Sequence, residues 1–172
     1  MSISNLVNIE KHQDRNWLPA KRYLRAYRQS EMDELFVSLP NASAADLRGN
    51  YVGKVYAIKG VDRLPKMLRI LVTLIAQLPL PVWIGKNFND TSGANLWVLR
   101  QRPLKFGYYK VAADEASQML YLDYNIEANP TILKPVMGEV KFAGNDTYLA
   151  RMLYRGKNQT LCVLYFTLSL IK

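Results

Sequence analysis

The chain contains one histidine, His12, and one cysteine, Cys162, among its 172 residues. A Ser-His-Asp or Cys-His catalytic group needs an imidazole beside its nucleophile, and His12 lies in a polar N-terminal stretch, so hydrolases of that kind are not expected. One histidine and one cysteine cannot complete a usual structural zinc or haem site, and the sequence implies no metal and no cofactor. Neither a P-loop nor a Gly-x-Gly-x-x-Gly stretch occurs, which leaves nucleotide binding without support. Cys162, inside the apolar run "TLCVLYFTLSLI", can form no intramolecular disulfide and reads as a small buried hydrophobe. The opening residues "MSISNLVNIEKHQDR" lack a basic region followed by an apolar one, and a cytoplasmic location is expected.

What is abundant is positive charge. The formal net charge is +9, a surplus that attracts nucleic acid, anionic lipid or acidic proteins without selecting among them. The basic residues crowd positions 11 to 28, in "KHQDRNWLPAKRYLRAYR", and a solvated helix face accounts for them as well as a docking surface does. Helical spacing runs from Pro19 through "AKRYLRAYRQSEMDELFVSL" to Leu39-Pro40. A second helix is expected at about 62–78, where "VDRLPKMLRILVTLIAQLPLP" leaves only a narrow polar stripe of Lys66, Arg69, Thr73 and Gln77. Asp62 is placed to cap it and Pro79 to end it. It is too short and interrupted to span a bilayer, and packing on or capping a sheet is its expected role.

Between these helices "LRGNYVGKVY" places Gly49 and Gly53 on the same strand face as Tyr51. Glycine weakens a strand, so two on one face predict a sharp bend, a bulge or a close neighbour, the local mark of a sheet curling toward closure. Beyond residue 93 the chain reads as "ANLWVLRQR", "LKFGYYKVAA", "QMLYLDYNI", "KPVMGEVKF", "TYLARMLYR" and "TLCVLYFTLSLI". These runs of eight to twelve residues are separated by turn-forming residues and predict an antiparallel meander. "FAGNDTY" and "YRGKNQT" read as tight connections. The expected architecture is mainly β within α+β: one domain over 1–172, with a helical extension at 1–40 and a lipocalin-like barrel or strongly curved sheet at 47–172.

With these stretches in place, "LFVSLPNASAADLRGNYVGKVY" followed by "VWIGKNF" resembles the GXWXG domain of uncharacterised bacterial proteins. The matching positions are Leu39, Pro40, Asp46, Leu47, Gly49, Gly53, Trp83, Gly85, Lys86 and Phe88, with Tyr51 where that pattern has tryptophan. More loosely, the glycine-aromatic opening strand and the arginine of a late strand are similar to the calycin superfamily of lipocalins and fatty-acid-binding proteins. That resemblance implies that Arg151, or else Arg155, packs across the aromatic residue of the first strand.

Asp123 and Arg151 interrupt strand patterns, and polar groups buried there must pair or face a wet cavity. Facing inward, they would form a charge pair able to orient an anionic head group. The alternative puts Asp123 in solvent and Arg151 in a structural role. Trp83, Lys86 and Phe88 read either as a pocket mouth or as core and corner residues around a Gly-Lys turn. "LKFGYYK" fits base stacking between cations or a plain barrel strand.

The leading functional expectation is non-catalytic binding of a small apolar or amphipathic molecule such as a fatty acid. Tyr51, Tyr56, Trp83, Lys86, Phe88, Tyr124 and Arg151 are the candidate ligand-binding residues. An enzyme acting on a lipid-like or polyketide-like substrate is the alternative, with Asp123 as base and Tyr124 or Tyr121 as acid. A third is a peripheral protein whose residues 11–28 contact nucleic acid or anionic membrane.

Overall fold

In the computed structural model, which describes residues 29–58, 82–99 and 101–171, the alternating runs form eight antiparallel strands. They are β1 (Gly49–Ile58), β2 (Val82–Asn89), β3 (Ser92–Leu99), β4 (Arg102–Ala113), β5 (Leu120–Asp123), β6 (Val136–Phe142), β7 (Thr147–Arg155) and β8 (Thr160–Leu170). Each pairs with the next and β8 returns to β1, which closes the barrel. Closure gives every strand a neighbour on both sides, although β4 pairs with β5 only over Lys110–Ala113. Among the described residues one α-helix, α1 (Gln29–Ser38), packs on the outside. The expected helical positions before residue 29, and the whole helix at about 62–78, lie outside the described residues.

Seven of these strands are the ones the alternation predicts. The eighth, β2, is a correction: "VWIGKNF" is not a turn with corner residues but a full strand between β1 and β3. Its meaning lies in the register, which sets Gly49 opposite Phe88, Tyr51 opposite Lys86 and Val52 opposite Gly85. A Cβ on Gly53 would fall 2.1 Å from the Trp83 ring, and one on Gly85 would fall 1.8 Å from the Tyr51 carbonyl oxygen. The two glycine-aromatic stretches therefore interlock, the Trp83 ring of β2 lying on the bare backbone of β1 at Gly53 and the β1 backbone at Tyr51 passing close against Gly85 of β2.

The barrel interior is built from inward side chains around the whole ring, among them Tyr51, Phe88, Tyr109, Leu122, Val140, Tyr148 and Phe166. At one end it is plugged. The connector after α1 folds into a 3₁₀ turn, Ala44–Asp46, capped by the Ser43 hydroxyl, and buries Ala42 and Leu47 in the interior cluster. The Asp46 carbonyl accepts from both the Tyr51 and the Tyr148 phenol, at 3.2 and 3.4 Å. Tyr51 meets Phe88 and Tyr148 edge to face at 5.3 and 5.7 Å, an arrangement worth about 0.5–1.5 kcal/mol per pair beyond burial.

At the opposite end the described residues leave the inner face less covered. Val55, opposite the inward Phe166, is 44 % exposed, and Trp83, Met152, Tyr154 and Leu164 are only partly buried against the interior cluster.

α1 lies over β7 and β8, where Met32, Phe36 and Leu39 bury against Leu149 and Tyr165. Leu149 and Tyr165 point outward because their chain neighbours Tyr148, Ala150 and Phe166 point in. Burying a side chain such as Phe36 contributes about 1.5–3 kcal/mol, enough to hold a ten-residue helix that is marginal on its own. Among the described residues, no helix is long and apolar enough to cross a membrane.

Candidate functional site

A lysine in a β-strand normally points to water, because burying its ammonium is costly. Lys86 is forced inward. It stands opposite Tyr51 on β1 and Asn95 on β3, between the inward Phe88 and the Trp83 side of the strand, and it is 3 % exposed.

Its Nζ donates at 2.5 Å to Asn95 Oδ1 and at 2.5 Å to Tyr124 Oη. Tyr124 Oη in turn donates to Asn95 Oδ1 at 3.2 Å, which closes a three-membered polar cluster. Around it stand aromatic faces: Nζ is 4.8 Å from the Tyr109 ring centre, 5.2 Å from that of Tyr124 and 5.4 Å from that of Phe166. Among the described residues no carboxylate forms a salt bridge with it. Burial alone pushes the ammonium down to about 7 from its ordinary 10.5. Burial also raises the Tyr109 and Tyr124 phenols, so both stay neutral through the physiological range.

Each partner is positioned locally. Asn95 sits where β3 and β4 slip register and its Nδ2 donates to the Gly107 carbonyl at 3.3 Å. Gly107 has φ +77, which glycine adopts without strain. Tyr124 leaves β5 at the start of a long connection, and Asn129 anchors it. The buried Asn129 amide donates to the carbonyls of Tyr124 (2.8 Å) and Tyr108 (2.6 Å), while its Oδ1 accepts from Tyr108 N at 3.0 Å. It stands in for the missing strand neighbour of β4 and fixes the backbone that presents the Tyr124 phenol.

The sequence candidates divide between the two faces of the barrel. Tyr51, Trp83, Lys86, Phe88 and Tyr124 all belong to the interior. Trp83 meets Phe166 edge to face at 5.4 Å, and Phe166 in turn lies beside Lys86, so an aromatic path runs from the less covered end to the amine. Tyr56 does not join them. The β1–β8 register slips between Val55 and Ala57, and Tyr56 packs with the cluster under α1.

Arg151 is a second correction. It neither crosses the first-strand aromatic nor pairs with Asp123. It occupies an outward row with Glu139 on β6 and Tyr165 on β8, donates from Nε to Glu139 at 2.5 Å and lies 4.4 Å over the Phe36 ring of α1. Asp123 is also outward, paired with Arg155 at 3.2 Å with both side chains more than a third exposed. Asp123 and Tyr124 therefore do not face a common space, and Tyr121, outward between Leu120 and Leu122, shares none with Tyr124 either. Asn95, Tyr109 and Asn129 are site residues that sequence reasoning missed. Asn95 had a faint signal, an amide inside the apolar run "ANLWVL", where a buried polar group needs a partner. Among the described residues there is no group of three His, Cys, Asp or Glu able to hold a metal ion.

No protein-family model matches the chain, and no curated protein does. A protein of Thermomonospora curvata, known from its crystal structure, is similar to it in fold, with a TM-score of 0.59 at 15 % identity over 98 % of this chain and 97 % of the other.

Proposed function

We propose that the barrel is a non-catalytic binder of a small amphipathic molecule, whose acidic head group meets Lys86 and whose apolar part extends past Phe166 toward Trp83. The observation that carries this reading is a buried lysine with two neutral hydrogen-bond partners and no carboxylate among the described residues. A protonated amine has three N–H donors. Asn95 and Tyr124 take two, and an anionic ligand supplies both the third acceptor and the missing counter-charge. The partly covered Val55, Trp83, Met152 and Leu164 give an apolar tail a place at the less covered end.

The GXWXG-like pattern supports the same reading, since its residues Gly53, Trp83, Gly85 and Lys86 are among those that build this interior. The net charge of +9 adds long-range attraction for an anionic ligand.

Decanoate is a suitable probe. In titration calorimetry the wild-type chain binds it, and Lys86→Met weakens binding roughly thirtyfold, about 2 kcal/mol for one charge-assisted hydrogen bond. Binding that is absent in the wild type, or unchanged in Lys86→Met, contradicts the proposal.

A further inference from the structure

Resting on the reading of Lys86 as the ligand's anchor, we infer that this residue is also a carbonyl-capturing amine, condensing with an aldehyde or ketone borne on an apolar tail to form an imine at Nζ. The argument starts from hydrogen-bond saturation. An unprotonated lysine amine has two N–H bonds and one lone pair. Asn95 Oδ1 and Tyr124 Oη accept the two N–H bonds, so the lone pair is left without a polar partner among the described residues. It is held in an apolar, aromatic surrounding, beside Phe166 and Tyr109. Such a setting favours a neutral, nucleophilic amine over a solvated ammonium. The depression of Lys86 to about 7 agrees, since close to half the molecules then carry the free base at neutral pH.

The step balances without any external oxidant or reductant. Nζ bonds to the carbonyl carbon as the C=O π pair moves to oxygen, and a proton passes from nitrogen to that oxygen to give the carbinolamine. The C–O bond then breaks, the second nitrogen proton leaves with the oxygen as water, and the C=N bond forms. Tyr124 Oη touches Nζ and donates to Asn95 Oδ1, so it can relay the protons between nitrogen and oxygen; the product is a neutral imine without an N–H, and Asn95 Oδ1 is placed to accept from its nitrogen once that nitrogen takes up a proton. A carboxylate ligand and a carbonyl ligand thus use the same direction at Nζ, the one left without a polar partner among the described residues, the first by accepting a hydrogen bond and the second by accepting the lone pair.

The test is reductive trapping on the full chain at neutral pH, with decanal and borohydride, followed by peptide mapping by mass spectrometry. The expected result is single labelling, with occupancy at Lys86 at least tenfold above that of any other lysine and suppressed by excess decanoate. Lys86→Arg, which keeps a cation but no condensing amine, loses the label, and the wild-type map is decisive even if that variant does not fold. Labelling spread over surface lysines without preference for Lys86 overturns the inference. If decanoate still binds in a Lys86-dependent way, only the covalent step fails; if it does not, the binding reading falls as well.

Discussion

Two of the cations withdrawn from water among the described residues, Arg151 and Lys86, are housed in opposite ways. Arg151, outside the barrel and under α1, has a carboxylate at 2.5 Å, an aromatic face at 4.4 Å and the Tyr165 phenol in the same cross-strand row. Lys86, inside, has two neutral partners and no carboxylate salt bridge among the described residues. The arginine network is complete and ties the helix to β6, β7 and β8. Its elements are fully accounted for by stability. The lysine bears a desolvation cost that two neutral hydrogen bonds and the surrounding aromatic faces offset only in part, and such costs concentrate where a protein meets a ligand.

The largest effect that would sharpen this contrast is pH-dependent stability. A lysine whose folded value is about 7 against 10.5 unfolded leaves the unfolded chain holding more protons between those values. Stability then rises with pH across that window, by roughly 3 kcal/mol from pH 7 to 9.5 for a fully buried group. Lys141, also lowered by burial, adds in the same direction. The buried phenols act oppositely, but only as pH passes about 10, where unfolded tyrosines ionise. Urea unfolding of the wild type across this range should show the rise, and Lys86→Met should remove most of it. An equal slope in both proteins would break the comparison from the Lys86 side.

From the Arg151 side, Glu139→Gln removes the carboxylate and should cost about 1.5 kcal/mol of stability, less than a fully buried pair because Arg151 keeps partial solvent contact. Decanoate affinity should stay within twofold, since the pair lies on the outer face. A loss of affinity with stability intact would mean that the two networks are not separate. The smallest effect is Tyr124→Phe, which deletes one acceptor of Nζ and should change stability by about 1 kcal/mol in thermal unfolding, with Asn95 still holding the amine.

The same contrast explains what was legible in the sequence. Alternation and turn residues disclosed seven strands, and the glycines of β1 a barrel or strongly curved sheet, because those signals are local; closure itself rests on the long-range pairing of β8 with β1. β2 was obscured by its polar residues Lys86, Asn87 and Asn89 and by Gly85, which read as a turn until the register supplied Tyr51 as the reason for a glycine. Arg151 and Lys86 are each a basic residue in the middle of a strand. Their faces differ only through parity against distant partners, and β-bulges at Tyr56, Ile84 and Gly107 shift that parity. Asn129 and Asn95 carry no periodic signal at all. Their roles arise from where strands part company, which only the fold determines.

The central claim is that Lys86 is an interior amine awaiting an anionic or carbonyl partner, and its own titration tests this most directly. With lysine labelled at Cε with carbon-13, one resonance, assigned by its loss in Lys86→Met, should titrate near pH 7 in the free protein. Saturating decanoate should move that midpoint up by about one unit or more, as an opposite charge at Nζ favours the protonated form. A Lys86 midpoint near the ordinary 10.5, unmoved by decanoate, would contradict the account.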